Sequence, residues 1–138
     1  MIVSILQEGG GWGEMRRILV VDDEPDVTIT LRMGLEETGL FEVYPFTSPE
    51  LALQNFKSGF YDLLLIDMIM PRMNGYELYD KIKGIDKKVK ACFISAYEIN
   101  YDALRERFPS LEMECHIKKP IQIDDLVKKI NEEIERSK

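Results

Sequence analysis

The sequence has little of several residue types that mark particular classes of protein. Its 138 residues include two Cys, one His and one Trp, too few for a disulfide-rich scaffold or a metal site built from imidazole and thiolate ligands. No apolar run approaches the ~18 residues of a membrane span, and the opening segment lacks the basic residue and cleavage site of a secretory signal. Basic residues are in deficit, with 18 Lys and Arg against 25 Asp and Glu. The resulting net charge of −7 disfavours binding to phosphate backbones. These absences predict a soluble cytoplasmic domain that contacts neither membrane nor nucleic acid.

The first 14 residues differ in composition from the rest. Four of the five residues from Gly9 to Gly13 are glycine, and Met15 could itself be a natural start. We therefore expect residues 1–14 to be an N-terminal extension and residues 15–138 to be one domain. The apolar residues of the extension either pack on a neighbouring surface, as an added edge strand for example, or belong to a tail without a role.

From Arg17 onward, short apolar runs alternate with helical patterns. The sequence predicts strands at 18–21, 41–46, 63–66, 89–94 and 112–117, each followed by a helix. Such alternation is typical of α/β proteins with helices on both faces of a parallel sheet. We expect a doubly wound, five-stranded sheet in the flavodoxin-like order 2-1-3-4-5, whose ligand site lies beyond the carboxyl ends of the strands.

Polar residues follow four of the five predicted strands. Taken in chain order they are Asp22, Asp23 and Glu24, then Asp67, then Ser95, and finally Lys118 and Lys119 before Pro120. Each has a plain structural explanation, as a helix-terminal charge, a turn former or a cap, but together they converge on one edge of the sheet. Clustered carboxylates need a cation, and oxygen ligands without His or Cys favour Mg²⁺. A metal and a Lys beside a nucleophilic Asp suit phosphoryl transfer through an aspartyl phosphate.

Four segments carry a resemblance to a known family. ILVVDDEPDV, LLLIDMIMPRMNG, the Ser95-Ala96 pair and Lys119-Pro120 resemble the signature of response-regulator receiver domains, from about Arg16 to Lys138. The resemblance implies a two-component signalling switch of the single-domain, chemotaxis-regulator kind in a bacterium or archaeon. It implies that Asp67 takes a phosphoryl group from a phosphohistidine of a histidine kinase or phosphotransfer protein. Such a domain assists its own phosphorylation and slow dephosphorylation without being an enzyme.

The resemblance also implies a role for each residue around Asp67. Asp23 would ligate Mg²⁺ (or Mn²⁺) together with Asp67 and the backbone carbonyl of Ile69, and Asp22 would act through a metal-bound water. Lys119 would pair with Asp67 at rest and with the phosphoryl group afterwards. The Lys119–Pro120 bond is expected to be cis.

Two pairs of residues bear on switching and on phosphate lifetime. The resemblance implies that Ser95 moves inward to bond the phosphoryl group and that His116, where the family more often has Tyr or Phe, fills the vacated space. A half-buried packing role for His116 stays open as an alternative. Ile69 and Tyr97 carry no amide or carboxylate to orient an attacking water, which predicts slow self-dephosphorylation.

Residues outside these roles have structural explanations. We expect Cys92 and Cys115 to be buried free thiols and Gly75 to be a turn residue with φ > 0. The methionines near Asp67 are expected to be packing residues rather than soft-metal ligands.

The predicted partners are proteins, and three other functions compete with the signalling switch. The partners are a kinase or phosphotransfer protein and an unknown downstream protein, with the chain a monomer or a weak dimer through helix 4, strand 5 and helix 5. An aspartyl-nucleophile phosphatase would need an acid/base residue at Ile69, and a nucleotide or flavin binder would need a phosphate-binding loop in place of Asp22 to Glu24. A docking module that is never phosphorylated would not need the full set of site residues.

Overall fold

Strands and helices alternate along the chain in the computed structural model, which describes residues 14–98, 100–109 and 115–136. The strands are β1 (Arg16–Val21), β2 (Phe41–Phe46), β3 (Leu63–Asp67), β4 (Ala91–Ser95) and β5 (His116–Lys118). The helices are α1 (Pro25–Glu37), α2 (Pro49–Gln54), α3 (Gly75–Ile85), α4 (Tyr101–Arg107) and α5 (Ile123–Glu135). Most of the predicted extension, and residues 112–114 of the predicted fifth strand, lie outside the described residues.

The strands form one parallel sheet in the order β2-β1-β3-β4-β5, which confirms the predicted fold. Strands β3 and β4 are buried at every position, as expected for parallel strands covered on both faces. Because side chains alternate along a strand, the sheet divides the core into two layers. Helices α1 and α5 cover one layer, and α2, α3 and α4 cover the other. Among the described residues no helix combines the length and apolar character of a membrane span.

Helix α2 is shorter than its sequence pattern predicts. Ser48 begins it by accepting a hydrogen bond from the Leu51 N–H at 3.2 Å. With Gly59 as a stop signal, the sequence predicts a helix to about Lys57, but the helix ends at Gln54. Beyond that point Phe56 is partly buried in the core, with its ring 5.5 Å from that of Tyr61. The chain therefore leaves the helix where the Phe56 side chain packs against the core.

Gly75 occupies the start of α3 for a reason other than the predicted one. The positive-φ residues of the described chain are Arg72, Gly39 and Gly59, so the prediction of φ > 0 at Gly75 is wrong. A Cβ added to Gly75 would lie 2.5 Å from the Asp67 carbonyl oxygen and 3.0 Å from the Met68 Cα. The glycine is needed because the helix start lies against the backbone of β3.

The two cysteines form a disulfide, so the prediction of free thiols is wrong. The register pairs Phe93 with His116, which places the residues before them, Cys92 and Cys115, side by side with Cα atoms 4.6 Å apart. This spacing suits a disulfide, and the sulfur atoms are bonded.

Candidate functional site

Acidic side chains from two neighbouring strands meet at the carboxyl edge of the sheet. Asp22 and Asp23 follow β1, Asp67 ends β3, and these strands pair up to Val21 and Ile66. One carboxylate oxygen from each acid lies within 4.8 Å of the others. Asp22 is 0% and Asp67 5% exposed, so their charges face each other where little water screens them.

Lys119 brings a positive charge to these acids from the far side of the sheet. Its Nζ lies 3.7 Å from Asp22 Oδ2 and 3.8 Å from Asp67 Oδ2. Glu24 Oε1 is closer, at 3.5 Å. Partial burial opposes the charge of Lys119, but the negative charges of Asp22, Asp67 and Glu24 outweigh it and raise the pKa of the ammonium.

The two buried carboxyl groups resist ionisation. Burial, reinforced by the charge of Asp22, raises the pKa of Asp67 from 3.8 to about 6, against the opposing effects of the Ile69 N–H and Lys119. Burial likewise raises the pKa of Asp22, opposed by the Glu24 N–H and Lys119. A cation or a further donor would therefore stabilise both groups in their charged form.

Among the described residues, one fully buried carboxylate oxygen has no hydrogen-bond partner. Asp22 Oδ1 accepts from the Glu24 N–H at 2.9 Å and Asp67 Oδ1 from the Ile69 N–H at 3.2 Å. Asp22 Oδ2 is buried without a hydrogen-bond partner, at ion-pair distance (3.7 Å) from the Lys119 ammonium. An orphaned oxygen among hard oxygen donors fits a divalent cation such as Mg²⁺ better than a softer metal.

Ser95 is the last residue of β4 and its hydroxyl bonds its own loop. The hydroxyl donates to the Tyr97 carbonyl and accepts from the Tyr97 N–H, both at 3.0 Å. Its backbone carbonyl accepts from the Lys119 N–H at 2.9 Å, and the Lys119–Pro120 peptide bond is cis. Ser95 is thus joined through the backbone to Lys119, while its side chain is joined to the loop that leads to α4.

His116 is set among aromatic rings. Its Nε2 lies 2.6 Å from the Tyr76 hydroxyl, its ring stacks on Phe93 at 5.6 Å between centroids, and Tyr101 meets it edge-on at 5.3 Å. Burial lowers the pKa of the imidazole. These contacts are compatible with both sequence interpretations of His116, packing and switching, and the structure adds a hydrogen bond to Tyr76.

Two residues of the site had no role assigned from sequence. In the sequence Glu24 is one of three acids after the first strand, and its contact with Lys119 depends on how β5 is placed beside β4. Tyr76 was missed, because a Tyr in the first turn of a helix has the pattern of a core residue. The only signal was its position directly after Gly75.

The two positions expected to tune phosphate lifetime are open to solvent. Ile69 is 59% and Tyr97 68% exposed. Met70 is buried, and Met68 and Met73 pack against the core layer beneath α3, as expected of packing residues.

Several known proteins are similar to this chain in sequence or in structure. The chain is 31% identical over 119 residues to the response regulator receiver protein CpdR of Brucella abortus, covering 84% of this chain and 94% of CpdR. It is 30% identical to the transcriptional regulatory protein PrrA of Mycobacterium leprae over 83% of this chain but only 48% of PrrA, so it spans about half of that protein's length. The response regulator TrrA of Thermotoga maritima, solved in complex with Mg²⁺-BeF, aligns with a TM-score of 0.71 and 34% identity over 86% of this chain and 98% of TrrA.

Residues 18–131 match the family model of the response regulator receiver domain, a stretch that runs from β1 into α5 and includes the acidic cluster and Lys119. Phosphorylation on an aspartate and signal transduction follow from this family. The chain belongs to the response regulator receiver domain family.

Proposed function

We propose that the receiver unit, residues 15–138, accepts a phosphoryl group on Asp67 from the phosphohistidine of a cytoplasmic histidine kinase or phosphotransfer protein. The observation that carries this assignment is the convergence of Asp22, Asp23 and Lys119 on the Asp67 carboxylate. The Lys119 ammonium offsets the negative charge of the phosphoryl oxygens, and the acids beside the buried nucleophile would hold a cation that does the same.

Transfer needs no residue beyond those already in the site. With a pKa of about 6, Asp67 is mostly ionised at neutral pH and attacks the phosphorus directly. The new P–O bond forms as the P–N bond to the donor breaks, and the donor nitrogen leaves with the bonding electron pair and takes a proton from solvent to give neutral imidazole. Lys119 balances the charge on the phosphoryl oxygens.

We propose Asp22, Asp23, Asp67 and the Ile69 backbone carbonyl as the residues that would hold Mg²⁺ or Mn²⁺. The orphaned Asp22 Oδ2 supports this assignment. When bound, the cation supplies charge neutralisation for the carboxylates and for the phosphoryl oxygens.

Switching is proposed to begin at Ser95. Its hydroxyl leaves the Tyr97 backbone and bonds a phosphoryl oxygen on Asp67, which frees the loop before α4. His116, which already stacks on Phe93 in this structure, takes part by keeping that inward position. The altered surface of α4, β5 and α5 then binds a downstream protein or a second copy of the chain.

Slow loss of the phosphoryl group follows from the residues that flank the acceptor. Ile69 and Tyr97 have no carboxylate or amide with which to orient water for attack. We therefore propose a long-lived phosphorylated state whose decay does not depend on these two side chains as catalysts.

The deciding experiment is intact mass spectrometry after incubation with Mg²⁺ and acetyl phosphate. The wild type should gain one phosphoryl mass and Asp67→Asn none, whereas the exposed Asp80→Asn serves as the matched control and should react normally. Release of acetate and phosphate over many turnovers without an adduct would favour a phosphatase instead. The absence of both an adduct and a response to beryllium fluoride would leave a docking module.

A further inference from the structure

The Tyr76 hydroxyl lies between β5 and the acceptor loop, residues 68–74, which joins β3 to α3. It is 2.6 Å from His116 Nε2 and 3.5 Å from the sulfur of Met68, the residue directly after Asp67. A single side chain therefore contacts both the neighbour of the proposed phosphoacceptor and the proposed switch histidine.

Tyr76 is held firmly in this place. Its side chain is 2% exposed, and its ring packs 4.5 Å from Phe93 and 5.9 Å from Phe108 between centroids. Gly75, one residue earlier, donates its N–H to the Met68 carbonyl at 2.9 Å. The Tyr76 hydroxyl is therefore held in a fixed position, where it can form a hydrogen bond with the His116 side chain.

His116 is the less enclosed of the two partners. It is only partly buried and borders an open cavity of about 210 Å³ lined also by Tyr97, Glu98, Tyr101 and Lys118. Turning the imidazole outward into this space would leave the buried Tyr76 hydroxyl with only the weak sulfur acceptor of Met68. Because an unsatisfied buried hydroxyl is costly, the hydrogen bond favours the inward position.

We propose that Tyr76 is a positioning residue of the switch: its hydroxyl holds His116 inward before phosphorylation. The inference rests on the proposed function, in which the inward His116 accompanies phosphorylation. The free protein is then already biased toward the phosphorylated arrangement, so less of the phosphoryl binding energy goes into moving the histidine. Because Tyr76 also contacts Met68, the residue that holds His116 inward is connected to the acceptor loop.

The hydrogen bond can be observed directly, because His116 is the only histidine of the sequence and its imidazole ¹⁵N signals in tag-free protein need no assignment. Tyr76→Phe should shift the Nε2 resonance and change the balance between the two neutral tautomers. Tyr79→Phe is the matched control. Tyr79 lies on the same helix and also packs on Phe93, but its hydroxyl donates to the Val89 carbonyl at 3.5 Å.

The consequence for switching is measured by titrating the Mg²⁺-loaded protein with beryllium fluoride. Loss of the bond in Tyr76→Phe should weaken beryllium fluoride binding about fivefold, the factor equivalent to ~1 kcal/mol, and Tyr79→Phe should bind as the wild type does. His116→Phe removes the same bond from the other side. If the two groups act through one contact, adding Tyr76→Phe to His116→Phe should produce no further loss.

The outcomes separate this inference from the function on which it rests. An unchanged Nε2 resonance in Tyr76→Phe, an unchanged affinity for beryllium fluoride, or additive losses in the double variant would each overturn the positioning role. If the wild type itself bound no beryllium fluoride and formed no adduct with acetyl phosphate, the proposed function would fall, and the inference with it.

Discussion

The Lys119 ammonium lies closer to Glu24 than to Asp67: the Nζ to Oε1 distance is 3.5 Å and the Nζ to Oδ2 distance is 3.8 Å. Lys119 is therefore not paired with Asp67 alone, because its ammonium also lies near the carboxylates of Asp22 and Glu24. Glu24 is largely exposed, with 63% of its side chain accessible, whereas Asp22 and Asp67 are buried. Since solvent screens the contact with Glu24 more than the other two, Lys119 matters most for the buried acids.

Removing the ammonium should destabilise the metal-free protein in a pH-dependent way. In Lys119→Met the buried Asp22 and Asp67 lose their counter-charge, so we expect a loss of roughly 1–3 kcal/mol in unfolding free energy at pH 7.5. The loss should shrink near pH 5, where a raised pKa allows Asp67 to take up a proton. Urea unfolding at the two pH values measures it. Lys118→Met is the control, because Lys118 makes an exposed pair with Glu98; an equal loss in both variants would contradict the prediction.

The raised pKa of Asp67 makes this carboxyl group a source of instability in the metal-free protein. Between its ordinary value of 3.8 and its folded value of about 6, the folded state holds more of the proton than the unfolded state does. Stability is therefore greatest below the lower value and falls as pH rises through the higher one. Asp67→Asn should remove this loss and stabilise the metal-free protein by roughly 1–2 kcal/mol at pH 7.5, with little effect at pH 4.

Thermal unfolding of the wild type and of Asp67→Asn from pH 4 to pH 8 tests this expectation. The difference in stability between the two proteins at each pH is compared, so that the effects of other titrating groups cancel. Added Mg²⁺ should stabilise the wild type more than the variant. A less stable Asp67→Asn at pH 7.5 would show that the ionised carboxylate is favoured by its surroundings.

Those parts of the fold and site that depend on local pattern could be predicted from the sequence. Apolar runs such as Ile18 to Val21 are strands because both faces of the sheet are covered, and acids placed directly after such runs share one edge of a parallel sheet. The proximity of Asp22 and Asp67 therefore follows from the strand order alone, and no side-chain contact has to be known to predict it.

The features that depend on register or on packing between distant segments could not be predicted. The disulfide requires Cys92 to lie beside Cys115, and no local pattern sets the register of a three-residue strand. The bond between Tyr76 and His116 likewise requires α3 to be docked on the sheet. The role of Gly75 could not be predicted because a glycine needed for φ > 0 and one needed for close approach look alike in sequence.

Ser95 should control the mobility of the loop that follows β4. Its hydroxyl makes both a donor and an acceptor bond with the Tyr97 backbone, and Ser95→Ala removes both. We expect hydrogen exchange at the Tyr97 amide to become about fivefold faster, equivalent to the loss of one net hydrogen bond. Ser95→Thr keeps the hydroxyl and should exchange as the wild type does; equal exchange in Ser95→Ala would mean that the loop is held by other contacts.

Gly75 should be the least replaceable glycine of α3. A methyl group there would meet the Asp67 carbonyl oxygen at 2.5 Å, and neither backbone segment can yield without moving the end of β3. We expect Gly75→Ala to cost about 2–3 kcal/mol of unfolding free energy and to slow adduct formation with acetyl phosphate by roughly tenfold, because the acceptor carboxylate is displaced.

Gly84 provides the matched control for that substitution. It lies in the same helix, is exposed, and has no atom within 4 Å of an added Cβ. Gly84→Ala should therefore stabilise the protein by up to ~1 kcal/mol through helix propensity and leave adduct formation unchanged. Because both variants add one methyl group to one helix, the difference between them isolates the approach to Asp67. A Gly75→Ala protein as stable and as reactive as Gly84→Ala would refute the requirement for close contact between α3 and the end of β3.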